Sequence, residues 1–277
     1  MSVLGALTAL LAGWIAISQN DVYRVLGYST ASHVGLMLAA LGTGTTLGLD
    51  AAVFHLSSHS LVKAALFVAA TMLLMPSNSG HGNRQRPFAA GAFLVAALLL
   101  CSGLLGQNAI LTSIREAATP VVDSSDVATT STLPAIADWL CSLAVVVQAL
   151  SLLRALFSIV AGRAEVSASM DSSPSPAFDK AVAALLLLGG IVGVPLAFYR
   201  SALRGLALLA PDAETAGFNL AIVLLAAVCM RMFYARPREL PATLSRSIEP
   251  FARLGRDRFH LDEILSLAVA RPASGLA

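Results

Sequence analysis

His55, His59 and Lys63 fall at i, i+4 and i+8 in the apolar stretch "FHLSSHSLVKAALF" (residues 54–67). On a helix that spacing stacks all three on one face, with a rise of about 6 Å per step. Imidazole exchanges protons near neutral pH, and a lysine withdrawn from water gives up its proton more readily. A row of such groups is what proton hopping through side chains and interposed water requires. The bland alternative is that the histidines bond helix to helix while the lysine snorkels to an interface. Against it stands the cost of an ammonium at a bilayer centre, at least about 2.5–3.5 kcal/mol. Two histidines four apart could also begin a zinc site, but no third ligand recommends itself, so no metal is expected.

Other polar residues sit inside apolar stretches. His33 could hand protons to His55 or serve packing and hydrogen bonding. Arg154, about two turns after Gln148, could line the outer end of a proton path or reach for the interface. Tyr28, Ser29, Thr30 and Ser32 read as small or amphipathic packing residues, and Asp138 as an interfacial charge. Cys101, Cys141 and Cys229 occur singly, with no metal-type spacing and no disulfide framework.

The elements that must position these groups follow from composition. The chain has 277 residues, 57% hydrophobic and 12% charged, with a mean hydropathy of +0.77. Soluble domains carry roughly 25% charged residues, so the solvent is lipid. Seven segments meet or approach the roughly 20 apolar residues of a membrane span: 2–18, 28–47, 50–75, 88–111, 133–161, 179–199 and 217–235. Backbone groups in hydrocarbon must be satisfied within each segment, which makes the fold an all-α, multi-pass membrane protein of about seven transmembrane helices. The first segment lacks the basic flank of a signal peptide and reads as a helix.

Polarity collects in the connections "PSNSGHGNRQRP" (76–87), "TPVVDSSDVATTST" (119–132) and "GRAEVSASMDSSPSPAFD" (162–179), whose Ser, Asp and Pro content cannot build a core. Arginines Arg24, Arg84, Arg86, Arg163, Arg236 and Arg238 follow the odd-numbered segments, against Arg115, Arg200 and Arg204 after the even ones. The positive-inside rule then faces the odd connections to the matrix or cytoplasm. A net charge of +2 without a basic, aromatic patch excludes nucleic acid. With no phosphate-binding glycine loop, cofactor fingerprint or nucleophile elbow, the chain has no catalytic or redox site and no cofactor of its own.

"FHLSSHSLVKAALF" resembles the "FHxxxHAxFKAxLF" block of the antiporter-like subunits of NADH:ubiquinone oxidoreductase (respiratory complex I) and of multisubunit cation/proton antiporters. Upstream, "QNDVYRVLGYSTASHVGLMLAALG" (19–42) resembles that family's "QxDIKRVLAYSTxSQxGYMxLALG", in the same order and separation. The tail "RFHLDEILSLAVARP" (258–272) is similar to the closing segment of the chain 5 type.

The resemblance implies two inverted five-helix repeats, each with one discontinuous helix. Residues 1–161 would be the second repeat, with five transmembrane helices. Residues 162–178 would be a polar loop, 179–235 two further helices and 236–277 a C-terminal tail. The discontinuous helix would be segment 88–115, broken around "SGLLGQN", where Gly103 and Gly106 permit irregular backbone. His55, His59, Lys63, His33 and Arg154 would form the proton relay. Three family positions are altered: Tyr23 replaces a lysine, and Gln107 and Asn108 stand for a lysine and an acid at the break. Glutamine bonds water but carries no proton.

The expected function is a membrane-arm subunit contributing to proton translocation driven by NADH:ubiquinone electron transfer. The alternatives are a subunit of a cation/proton antiporter, or a structural, non-pumping element of the membrane arm. The expected partners are other complex I membrane-arm subunits and membrane lipid. Because the sequence opens at what resembles the second repeat, a split subunit is expected. A separate chain would supply the first repeat, docking beside residues 2–75 and covering the Lys63 side of the third helix, and a further chain would supply a lateral helix. The expected location is the mitochondrial inner membrane, with a bacterial plasma membrane as the alternative.

Overall fold

Aspartate before an apolar run is a helix start signal, and Asp21 shows why. Its Oδ1 accepts hydrogen bonds from the backbone N–H groups of Tyr23 at 2.8 Å and Arg24 at 3.2 Å, satisfying donors that no helical carbonyl can reach. The second helix therefore begins at Val22, six residues before the expected 28, and the connection from the first is three residues long.

The computed structural model describes residues 1–74, 89–93, 95–96, 106–118, 132–160, 249–251 and 253–260, with Ala184, Leu188, Gly217, Ala221, Leu224, Val228 and Glu263 as single positions. Its helices are α1 (Ser2–Ser18), α2 (Val22–Leu41), α3 (Thr46–Leu74), α4 (Gln107–Ala118) and α5 (Thr132–Val160), with a short 3-10 turn at Arg258–His260. There are no strands among the described residues. Two described helices, Thr46–Leu74 and Thr132–Ile159, are long and apolar enough to cross a membrane, and Ser2–Ser18 is a shorter apolar helix. The sixth and seventh segments, apart from the single positions named, lie outside the described residues. So do the connections 75–88, 119–131 and 161–178, the tail beyond the residues named, Cys101 and Cys229.

Small residues set how closely the helices approach. A Cβ placed on Gly5 would overlap the Ala39 amide, and one on Gly35 would lie 2.8 Å from the Gly5 carbonyl oxygen and the Ala9 Cα. Helices that gain nothing from expelling water gain dispersion energy when backbones touch, so glycine and alanine line this seam. The seam is also pinned by a hydroxyl: Ser32 Oγ donates to the Ala9 carbonyl at 2.5 Å.

α3 enters through a cap, with the Gly48 N–H bonded to Thr45 Oγ1 at 3.0 Å. Its serines need no partner helix. Ser57, Ser58 and Ser60 each donate to the carbonyl four residues earlier, at 2.8–3.0 Å. This local bonding lets hydroxyls sit in apolar surroundings. Two packed clusters result. One joins α2, α3, α5 and residues 89–93 and 96 around Leu26, Leu66, Phe93 and Leu152. The other joins α1 to α5 around Leu36, Ala51, Ile110 and Val145.

Of the interruption expected between Gly103 and Gln107, the described residues are Gly106 and Gln107, and Gly106 breaks the helical backbone. Residues 89–93 and 95–96 are helical, α4 begins at Gln107, and Gly106 between them has φ +93°. That left-handed backbone cannot continue an α-helix, and L side chains rarely adopt it. Space forbids a side chain as well: a Cβ there would lie 2.7 Å from Phe54 Cδ1 and 3.1 Å from His55 Cβ. The break is thus pressed onto the histidine helix. Residues 97–105 lie outside the described residues.

Candidate functional site: a lysine and three imidazoles at the α2–α3 seam

α3 presents His55, His59 and Lys63 inward, with exposures of 0%, 3% and 4%, while Leu56 between them faces out. α2 runs antiparallel beside it and contributes Ser29 and His33, four residues apart. The two ladders meet rung by rung. Lys63 Nζ donates to Ser29 Oγ at 2.5 Å, and His33 Nδ1 lies 3.1 Å from His55 Nε2. The His33 and His59 rings are 4.5 Å apart between centroids, His33 and His55 5.2 Å, and His55 and His59 5.7 Å. Three imidazoles therefore enclose one point, and the lysine stands about two turns from His55.

In the His33–His55 contact one nitrogen must donate and the other accept, so the two rings share a single N–H. Moving that proton across the bond, and turning the rings, is a hop. Lys63 is covered by α2 of this same chain, so the expected uncovered Lys63 face is corrected: antiparallel packing places Ser29 opposite it. No group of three His, Cys, Asp or Glu residues able to hold a metal is found among the described residues.

A second polar row meets the first at α2. Gln107 Nε2 donates to Gln148 Oε1 at 3.2 Å, Gln148 Nε2 donates to Ser32 Oγ at 2.6 Å, and Ser32 donates to the Ala9 carbonyl. Gln107 and Asn108 are both buried. Gln148 joins the first turn of α4 to α2, a role its sequence position alone did not assign. The signal was a lone amide in an apolar segment.

Arg154 does not join the histidines. Its guanidinium donates to the Ile17 carbonyl, to the Gln19 carbonyl at 2.5 Å and to Asn20 Oδ1 at 2.8 Å. It therefore closes the last turn of α1, where carbonyls have no helical partner. Arg154→Met is expected to lower stability by about 1.5–3 kcal/mol, the scale of hydrogen bonds to a charged group. Thermal unfolding of the purified protein checks this.

Tyr23 stacks on Phe67 at 6.5 Å and shares a hydrogen bond with Thr71 Oγ1 at 3.2 Å, two turns beyond Lys63 on α3. At the opposite end Arg115 Nε bonds Asp138 Oδ1 at 3.1 Å, tying α4 to α5. Both side chains are partly exposed, and such pairs contribute about 0–1 kcal/mol. Asp138→Asn is expected to shift the unfolding midpoint little, and a large drop would show a further role for Asp138.

The C-terminal segment docks at the α1–α2 connection. Trp14 Nε1 donates to the Phe251 carbonyl at 3.3 Å, Gln19 Nε2 to the Gly255 carbonyl at 3.4 Å, and Arg258 lies 6.0 Å from the Tyr28 ring centroid. On this segment Arg253 and Arg256 both pair with the exposed Glu249, whose carboxyl is held below its usual range chiefly by the Arg253 hydrogen bond.

Among the described residues, a bundle of apolar helices, one interrupted, buries a lysine and three imidazoles at one seam. Residues 1–122, less than half of the chain, match the family model described as "NADH:quinone oxidoreductase/Mrp antiporter, TM". The chain is similar to NADH-ubiquinone oxidoreductase chain 5 of Chlamydomonas reinhardtii, 36% identical over 137 residues, covering 44% of this chain and 24% of the relative. It is also similar to F(420)H(2) dehydrogenase subunit L of Methanosarcina mazei, 33% over 134 residues, covering 45% and 20%. NADH-quinone oxidoreductase subunit L of Pseudomonas aeruginosa is 36% identical over 124 residues, covering 40% and 20%. The matched region spans a quarter or less of these relatives' length.

Proposed function

We propose that this chain is a membrane-arm subunit of respiratory complex I and contributes to proton translocation driven by NADH:ubiquinone electron transfer. The buried Lys63–Ser29 and His59–His33–His55 arrangement is the observation that carries the reading. Every imidazole is within one ring contact of the next, and the row runs about 12 Å along α3. Lys63, His59, His33 and His55 are the relay in this reading, and Arg154 is not part of it.

The relatives' names supply the redox partner. They include NADH-ubiquinone and NADH-quinone oxidoreductases and an F(420)H(2) dehydrogenase. The redox groups would belong to other chains. The partners are other membrane-arm subunits, among them a polypeptide bearing an antiporter-like repeat beside α1–α3. Leu4, Leu7, Leu11, Leu49, Val53 and Leu56 are exposed on those helices and offer it an apolar face. The membrane is the mitochondrial inner membrane, with the α1–α2 connection on the matrix side, where Arg24, Arg253, Arg256 and Arg258 gather.

The test is to purify the native assembly through a tag on this chain and reconstitute it in sealed vesicles. NADH oxidation coupled to proton movement is expected. Cation/proton exchange without NADH oxidation would instead identify a multisubunit antiporter. A second reading, a non-pumping structural subunit, has Gln107 in its favour, since an amide replaces a titratable group at the break. Proton uptake unaltered by loss of Lys63 would establish it.

A further inference from the structure

The row Gln107–Gln148–Ser32–Ala9 has only one possible direction. The Ala9 carbonyl can only accept, so Ser32 spends its single hydroxyl proton there. Ser32 Oγ must then accept from its next neighbour, which turns the Gln148 amino group toward it. The Gln148 carbonyl oxygen is left facing Gln107 and takes that residue's amino group. Reversing either amide would set lone pair against lone pair or N–H against N–H. A backbone carbonyl on α1 thus dictates, three hydrogen bonds away, which end Gln107 presents. It presents Oε1, buried and without a partner among the described residues.

Two more buried atoms share that condition, His33 Nε2 and His59 Nε2. The three residues that carry them adjoin the junction of α2, α3 and the first turn of α4. The His33 and His59 rings are 4.5 Å apart, Ser32 precedes His33, and Gly106, which precedes Gln107, abuts His55. Buried polar atoms in native proteins are satisfied, and internal water with two to four polar partners is the usual agent.

We infer that Gln107 positions a bound water shared with His33 Nε2 and His59 Nε2, and that the Gln148–Ser32–Ala9 row fixes it as that water's acceptor. One water O–H points to Gln107 Oε1 and stays there. The water oxygen takes the proton of a His33 imidazolium as the Nε2–H bond breaks, and the water's other O–H bond breaks to protonate His59 Nε2. The charge moves from His33 to His59 and no atom is gained or lost. Gln107 never carries the proton; it holds the water that does.

This inference deepens the proton-translocating reading above and can fail separately from it. The test uses the native assembly in sealed vesicles, reading proton uptake together with the infrared O–H stretch of bound water that shifts in H2 18O. Gln148→Leu frees the Gln107 amide to turn and is expected to lower uptake several-fold and abolish the water band. Adding Gln107→Glu to that variant is expected to restore both, because a carboxyl group has an oxygen on either arm. An intact Gln148→Leu assembly with normal uptake and an unchanged band would overturn the inference, and so would failure of Gln107→Glu to rescue it. If the band behaves as expected but the unmodified assembly moves no protons, the water site stands and the translocating function falls.

Discussion

Lys63→Met is expected to leave the bundle assembled and, in the proton-translocating reading, to cut proton flux by about a hundredfold or more, the lower range of what a positioned proton-transfer group contributes. Assembly survives for a local reason. Ser29 Oγ, which faces the ammonium, also donates to the Leu26 carbonyl at 3.0 Å, so losing Lys63 does not orphan it. Methionine fills a similar volume without a charge to bury. Lys63→Arg separates charge from proton exchange. Guanidinium keeps the positive charge but does not deprotonate in proteins, so its flux is expected to fall as far as that of Lys63→Met. Proton uptake per NADH oxidised, compared with the rate of NADH oxidation, is the measurement. Uptake equal to that of the unmodified assembly in both variants would remove Lys63 from the path.

Gly35→Val prevents α1 and α2 from packing and is expected to cost at least about 1–3 kcal/mol, the range for forcing atoms into a filled interior. The cost should fall toward the top of that range or beyond it. The atoms in the way are the Ala9 amide and Cα and the Gly5 carbonyl, backbone that no rotamer change can move. Gly27, on the same helix, is the control, since nothing lies within 4 Å of a Cβ built there. Gly27→Ala is expected to be neutral or slightly stabilising, because alanine improves a helix interior by roughly 0.5–1 kcal/mol over glycine. Yield of intact assembly and its unfolding midpoint decide the comparison. Equal behaviour of the two variants would show that the seam has slack the structure does not contain.

The helices and the buried His55–His59–Lys63 face were legible because both depend on spacing within one segment. Apolar length marked α1, α3 and α5, and the i, i+4, i+8 pattern put His55, His59 and Lys63 inside together. The start of α2 was misplaced because a hydropathy window discounts Tyr23 and Arg24, whereas the capping signal of Asp21 marks the boundary. What was not legible depends on which helices become neighbours. His33 as a partner of His55 was one of two options; the antiparallel register of α2 on α3 selects it. Arg154 went the other way, because a long side chain near a helix end takes whatever carbonyls the adjoining helix leaves open, here those of Ile17 and Gln19. Gln148 gained its role only when α2 and α4 were brought to either side of it.

The glycine-locked seam between α1 and α2 has a mechanical consequence. Close-packed interiors deform little, and here backbone meets backbone, with Ser32 clamped to the Ala9 carbonyl across the contact. α1 and α2 therefore shift as a single stiff plate. The α2–α3 seam meets backbone to backbone only near its loop end, where a Cβ on Gly48 would overlap the Ala40 carbonyl oxygen; further along it holds Ser29, His33, His55, His59 and Lys63, side chains that turn about their own bonds. In the proton-translocating reading, compliance is therefore expected along that polar stretch of α3, with the α1–α2 plate holding still.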